Sequence, residues 1–208
     1  MSRKIVLIGG GGHCKSVLDT LLKNNGYDEI VITDHCIPAG TEIFGCRVAG
    51  TDGVLPELFA HGFTDAFITV GSIKSTALRH RLYDMARSIG FETVSIIDSS
   101  AAVSEHCRIG QGVFIGKKAV VNADAEIADC AIINTGAVVE HESRVGEFSH
   151  ISVGAKLCGN VTVGNDSLVG AGTTVIQGVH IGSNVIIGAG STVLKDIEDN
   201  SLRYGIVK

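Results

Sequence analysis

From Val103 to Val193 an aliphatic residue stands at every sixth position: Val103, Ile109, Ile115, Val121, Ile127, Ile133, Val139, Val145, Ile151, Leu157, Val163, Val169, Val175, Ile181, Ile187 and Val193. Six matches neither the 3.6-residue turn of a helix nor the simple alternation of a strand, so an unbroken register of this length specifies a stack of equivalent short strands separated by corners. A second rule runs with the first. The position four after each aliphatic is small or β-branched almost throughout, as at Ala119, Ala125, Ala131, Ala137, Ser143, Ser149, Ala155, Ser167, Thr173 and Ser191. That residue and the next aliphatic are two apart, so both face inward and the residue between them faces out. The rest of each unit must turn. Gly or Asn recurs there, at Gly110, Gly116, Gly146, Gly164, Asn165, Gly170, Gly182 and Gly188, where the pattern predicts positive φ. Three such units close a triangular coil of about 18 residues, and each coil buries its aliphatic row only against its neighbours. Trp is absent and the aromatics are 3 Tyr and 7 Phe, which suits an interior wide enough for Val and Ile only. The unbroken register also predicts that no long loop leaves the prism.

Residues 1–100 follow a different rule. Lys4-Ile5-Val6-Leu7-Ile8 reads as a buried strand, Gly9 to Gly12 as a tight loop, and the stretch from Ser16 to Leu22 as an amphipathic helix. Further strands are predicted at Glu29–Thr33, Ala66–Val70 and Thr93–Ile97, with a helix over Thr76–Ser88. Strands alternating with helices imply a small parallel, Rossmann-like sheet. The expected organisation is thus an α/β Rossmann-like domain over 1–100 and a β-helix of hexapeptide repeats over 101–208. Ligands of such a sheet lie beyond the carboxyl ends of its strands, and a glycine loop at a helix start brings backbone amides close to a phosphate. Gly9 and Gly11 match the start of G-x-G-x-x-G, but Cys14 holds its last glycine position. Asp34, at the end of the second strand, is placed to accept a ribose hydroxyl, although an acid there also caps turns. Gly71 and Ser72 occupy the same edge, where Ser72 or Ser75 also fits as a helix cap.

Charge and cysteine usage exclude several partners. The net charge is −5 and no run of Lys or Arg occurs, so there is no electrostatic footprint for nucleic acid or an anionic membrane surface. The apolar run Ile5–Ile8 is far too short to span a bilayer and leads into glycines, not a cleavage site, so a cytoplasmic protein is expected. Cys14, Cys36, Cys46, Cys107, Cys130 and Cys158 lack C-x-x-C spacing and read as small apolar fillers in a reducing compartment.

Two histidines lie in the middle of the repeat, His141 at a corner and His150 on an outward strand position. An outward imidazole beside a carboxylate has the chemistry of a general base, because the acid keeps one ring nitrogen protonated while the other accepts a proton. His141, with Glu142 or Glu140, fits that role; the alternative is a solvated surface histidine. Half a coil separates His141 from His150, which sets them on different faces within one chain. Flat-faced prisms associate about a three-fold axis, so the active site is expected between subunits of a homotrimer.

Over nearly its whole length the chain resembles the nucleotide-sugar acetyltransferases of the bacillosamine and perosamine pathways and the related sialic acid O-acetyltransferases. The matching stretches are Gly9-Gly10-Gly11-Gly12-His13, Ile133-Asn134-Thr135-Gly136-Ala137-Val138-Val139-Glu140-His141-Glu142, and Gly146-Glu147-Phe148-Ser149-His150-Ile151-Ser152-Val153-Gly154-Ala155. The resemblance implies a left-handed coil and direct transfer from acetyl-CoA to a sugar amine or hydroxyl, with His141 as base and Glu142 orienting it. It implies further that Gly11, Gly12, His13 and Asp34 hold a uridine diphosphate beside Gly71, that Asn134 sits near the acceptor sugar, and that His150 sits near the thioester. Gly159, Ala171 and Ala189 would line the CoA channel. Relatives often end in Gly-Asn-Pro-Ala-Lys where this chain has Gly205-Ile206-Val207-Lys208, which changes the end of that channel.

An activated thioester needs only a base and amides around the developing oxyanion, without metal or covalent intermediate. The acceptor expected is the amino group of a UDP-linked 4-amino-4,6-dideoxy sugar, with O-acetylation of sialic acid or another sugar hydroxyl as the alternative. A zinc hydrolyase of the carbonic anhydrase kind would need converging histidines from His106, His141, His150 and His180, whose spacing lacks a close pair. A silent nucleotide-sugar-binding module would share every fold signal and differ only at His141.

Overall fold

The computed structural model describes residues 3–71 and 75–208. Contacts divide them into two compact units, one made of the chain up to Gly71 with Ala77–Ile96, the other chiefly of Ile97–Lys208.

The first unit is built from β1 (Lys4–Ile8), α1 (Gly12–Asn24), β2 (Glu29–Thr33), β3 (Glu42–Ile43), β4 (Cys46–Gly50), α2 (Leu55–Ala60), β5 (Asp65–Ile68), α3 (Ala77–Ile89) and β6 (Glu92–Thr93). The sheet order is β3-β4-β2-β1-β5-β6, parallel except for the β3–β4 hairpin. Residues Ile5 to Ile8 are fully buried, as a strand covered on both faces requires. Helix α1 presents Cys14, Val17, Leu18 and Leu21 to the sheet at helical spacing and stops at Asn25, whose left-handed backbone returns its amide to the Leu21 carbonyl. It starts at Gly12, so the predicted glycine loop is shorter by a residue and its amides open the helix. The hairpin and α2, between Asp34 and Asp65, carry no strong period and were not legible. The strand expected at Thr93–Ile97 is two strands: β6 closes the first sheet, while Ile96–Ile97 opens a face of the repeat.

In the second unit every strand pairs in parallel with the strand one coil along, as in Ile133↔Ile151, Val139↔Leu157 and Val145↔Val163. Three sheets result. A first face runs from Ile96–Ile97 to Leu202–Arg203, a second from Ala102–Val103 to Ile206–Val207, and a third from Arg108–Ile109 to His180–Ile181. The inward row forms one core from Val113 to Val207 in which most members are fully buried. Each buried Val or Ile contributes roughly 1.5–3 kcal/mol by leaving water. The small positions carry a further function where they are serine. Ser143, Ser149 and Ser167 each donate to a carbonyl of the next coil and accept an amide from it, so buried backbone groups at the corners are satisfied.

The corner glycines correct the expectation of positive φ. From Ile109 to Ile187 positive φ falls three residues after each aliphatic, on Lys118, Asp124, Cys130, Glu142, Phe148, Asn160, Asp166 and Asn184 or on Gly112, Gly136, Gly154, Gly172, Gly178 and Gly190, not on Gly110, Gly116, Gly146, Gly164, Asn165, Gly170, Gly182 or Gly188. Those glycines, immediately after the aliphatic, are required by close stacking. At Gly164 a Cβ would lie 2.6 Å from backbone atoms of Gly182 and Ser183, and at Gly170 2.6 Å from the Ala189 amide. The final coil is also tighter than those before it, because Ile181 pairs with Ile197 and Ile186 with Leu202.

Candidate active site

The carboxyl edge of the first sheet forms a crevice. A cavity of about 200 Å³ opens there between Ile8, Gly9, Asp34, His35, Cys36, Asp52, Val70, Leu78 and Leu82. The chain leaves β1 through Gly9, with φ of 108°, where a Cβ would lie 2.7 Å from Val70 Cγ2. Asp34 ties the loop down: its Oδ2 accepts the Gly10 amide at 2.7 Å, and its Oδ1 accepts the amides of Cys36 and Ile37 at 2.7 and 3.0 Å. Burial raises the Asp34 carboxyl, but these three amides outweigh it and hold it below the ordinary carboxylate value. Asp34 is thus first of all the anchor of the glycine loop. Gly11 and Gly12 lie exposed at the start of α1, and Gly71 lies beside His13, since a Cβ at 71 would be 3.9 Å from His13 Cβ. Ser72 lies outside the described residues. Two groups missed in the sequence line the same cavity. Asp52, nearly buried, accepts from Thr33 Oγ1 at 2.9 Å and pairs with His35 Nε2 at 2.9 Å.

In the repeat, His141 occupies the corner between the second and third faces, with Glu142 beside it in the left-handed conformation at φ of 61°. His141 Nδ1 lies 3.1 Å from Glu142 Oε2. A carboxylate only accepts, so this contact assigns the proton to Nδ1 and leaves the Nε2 lone pair as the basic one. The ring lies against Gly159, one coil along, and the His141 carbonyl accepts the Asn160 amide at 2.8 Å. Of the two acids that the sequence offered, Glu142 holds the ring and Glu140 does not. The His141 side chain is 53% exposed, so one chain alone does not enclose it.

His150, Asn134, Ala171 and Ala189 belong to other parts of the coil. His150 stands outward on the first face, and the other three lie on the corner between the first and second faces. Asn134 Oδ1 accepts the Thr135 amide at 2.8 Å, which turns Nδ2 towards His150 Nε2 at 3.0 Å. The amide orientation therefore makes Nε2 of His150 an acceptor. Ala171 and Ala189 stack one above the other, exposed, with the Gly190 amide on the Ala171 carbonyl at 2.8 Å. The predicted residues of the coil thus fall into two groups: His141, Glu142 and Gly159 on one corner, and Asn134, His150, Ala171 and Ala189 at another.

A shallow concavity of about 470 Å³ covers the third face, lined by Arg108, Glu126, Arg144 and Thr162. Its charges answer one another, Glu126 bonding Arg108 and lying 3.4 Å from Arg144. Among the described residues no group of three or more His, Cys, Asp or Glu side chains converges as a metal site, and no helix is long and apolar enough to cross a membrane.

A hexapeptide coil carrying an exposed histidine–carboxylate pair, with a small parallel α/β unit in the same chain, defines a class, the hexapeptide-repeat transferases with a left-handed β-helix. The PglD N-terminal domain family matches residues 4–86, and the bacterial transferase hexapeptide (six repeats) family matches residues 106–141 and 164–195. Among solved structures, the acetyltransferase domain of PglB from Neisseria gonorrhoeae in complex with acetyl coenzyme A is 35% identical with a TM-score of 0.91, over 99% of this chain and 97% of that one. PerB from Caulobacter crescentus, in complex with CoA and GDP-perosamine, is 39% identical with a TM-score of 0.87, over 97% of this chain and 94% of that one. The chain belongs to the hexapeptide-repeat nucleotide-sugar acetyltransferases. A comparison with curated protein sequences gave no match.

Proposed function

We propose that this chain transfers the acetyl group of acetyl-CoA directly to the amino group of a nucleotide-linked amino sugar. The observation that carries the reading is the His141–Glu142 pair, with Nδ1 on the carboxylate and Nε2 turned to the space above Gly159. In this mechanism Nε2 takes a proton as the sugar nitrogen attacks the thioester carbonyl. The tetrahedral oxyanion then collapses, the C–S bond breaks, and the imidazolium returns the proton to the departing CoA sulfur. His150, oriented by Asn134, sits at the thioester, with Ala171 and Ala189 along the pantetheine arm and Gly159 at its reacting end. Asn134 also borders the acceptor sugar.

The separation of the two groups within one chain, and the exposure of His141, support a homotrimer in which His141 of one subunit faces the His150 corner of the next. In the first unit, the amides of Gly11, Gly12 and His13 receive the diphosphate, and Asp34 and Gly71 border the nucleoside. Uridine is the nucleoside of this reading. Guanosine is the second reading, favoured by the 39% identity to a protein solved with GDP-perosamine. The cytoplasmic location expected from the sequence belongs to the same reading.

The test is thiol release from acetyl-CoA with a panel of UDP- and GDP-linked amino sugars. His141→Ala is expected to slow transfer by roughly 10²- to 10⁴-fold, the range for loss of a general base, with the assembly intact. An unchanged rate would remove His141 from the mechanism, and a monomer at full activity would remove the shared cleft.

A further inference from the structure

His141 rides on a corner peptide, so the position of its base nitrogen depends on how firmly that peptide is held. From the coil ahead, the Asn160 amide donates to the His141 carbonyl at 2.8 Å. From the coil behind, the Ala123 carbonyl accepts the Glu142 amide at 3.0 Å. On the other side of the His141 Cα, the N–H of the preceding peptide, that of His141 itself, donates to Glu140 Oε2 at 3.3 Å, and that same oxygen accepts Asn122 Nδ2 at 2.9 Å. Asn122 stands one coil behind Glu140 at the same point of the repeat and fixes where the carboxylate points. Both side chains are half-buried, unlike the exposed His141 and Glu142.

We infer that Glu140, anchored by Asn122, is a positioning residue for the His141 base. The two acids flanking the histidine divide the task. Glu142 sets the ring through Nδ1, and Glu140 sets the backbone from which the ring projects. Because one oxygen takes both hydrogen bonds, the role needs an acceptor at that point and not a charge.

The inference rests on the proposed role of His141 and is tested with the full-length enzyme. Glu140→Ala is expected to lower kcat by roughly 10- to 100-fold, the cost of a base displaced by about an ångström, with KM for both substrates within about two-fold. Glu140→Gln, whose carbonyl oxygen can take both bonds, is expected to stay within about three-fold of wild type, a rescue that a charge effect would not show. Asn122→Ala is expected to fall between the two, with the thermal midpoint little changed. Wild-type kcat in Glu140→Ala beside a slow His141→Ala overturns the positioning role alone, as does a Glu140→Gln as slow as the alanine variant, or a loss confined to KM. Should Glu140→Ala not fold, a wild-type kcat in Asn122→Ala overturns it. Equal rates in wild type and His141→Ala overturn the base assignment and this inference with it.

Discussion

The imidazole of His141 occupies the space that a side chain at Gly159 would fill, since a Cβ there would lie 2.5 Å from both Cε1 and Nε2 of the ring. The next coil offers bare backbone at this point, and the ring rests on it. Gly159→Ala is therefore expected to push the ring off its seat while leaving the coil intact, because Gly159 has no positive φ to lose. Transfer should fall by roughly 10²-fold, mainly in kcat, while the aliphatic core and the thermal midpoint stay close to wild type. Steady-state kinetics with a calorimetric scan checks both parts. A variant with unchanged kcat would mean that the ring does not react from this position.

What the sequence made legible follows from what its period encodes. A register of six with a small residue two before each aliphatic fixes strand, inward row and stacking, and the pairing of Val139 with Leu157 follows from counting alone. The position of each left-handed corner was not legible, because residues such as Lys118, Phe148 and Glu142 occupy it as readily as glycine does. The stacked neighbours on either side override local preference there. For the same reason the corner glycines were given the wrong cause: they answer to atoms a coil away. His141 and Glu142 were legible as adjacent residues, but the Asn134–His150 bond joins residues that the count sets on a corner and a face, and only coordinates bring them together. In the first unit β1, α1 and β2 followed from strong local pattern. Asp52 and His35 did not, because no spacing announces that β4 delivers Asp52 to the end of β2.

Asp34 links the glycine loop to acid stability. Burial raises its carboxyl, the amides of Gly10, Cys36 and Ile37 with a smaller contribution from His35 lower it further, and the net value lies below that of the unfolded chain. The unfolded state therefore binds the proton first as pH falls. The stability contributed by Asp34 is complete above the ordinary carboxylate value of about 3.9 and is lost as pH descends through the folded one. Asp34→Asn removes this dependence. Thermal midpoints measured from pH 6 downwards are expected to fall more steeply for wild type than for Asp34→Asn below about pH 4. Parallel curves would show that the three amides do not favour the charged carboxylate.

The serine rungs predict a local loss of stability. Ser167 Oγ accepts the Val185 amide at 2.9 Å and donates to the Gly182 carbonyl at 2.9 Å, with the residue 2% exposed. Alanine fits this position sterically, as it does at Ala131 and Ala155, but leaves both backbone groups buried without that partner. Ser167→Ala is expected to cost about 1–3 kcal/mol, seen as a lower urea midpoint and faster exchange of the Val185 amide, with kcat little changed. An unaltered exchange rate at Val185 would show that the rung contributes no protection.

Thiol chemistry separates the two sides of the first sheet's crevice. Cys14 is fully buried on α1, and burial pushes its thiol up to about 11, an effect that the hydrogen bond with Thr69 offsets only in part and the nearby Asp34 charge reinforces. Cys36 is exposed and lines the 200 Å³ cavity beside Asp34 and Asp52. Since the thiolate is the reactive form and must be reached, an alkylating reagent near pH 8 is expected to label Cys36 readily and Cys14 only on unfolding. If the nucleoside of the acceptor occupies this cavity, a saturating sugar nucleotide that supports turnover should slow Cys36 labelling by at least about ten-fold, because the occupied cavity leaves the reagent no approach. Mass analysis of the labelled peptides reads both residues in one time course. Rapid labelling of Cys36 in the presence of a substrate that the enzyme is turning over would place the nucleotide elsewhere.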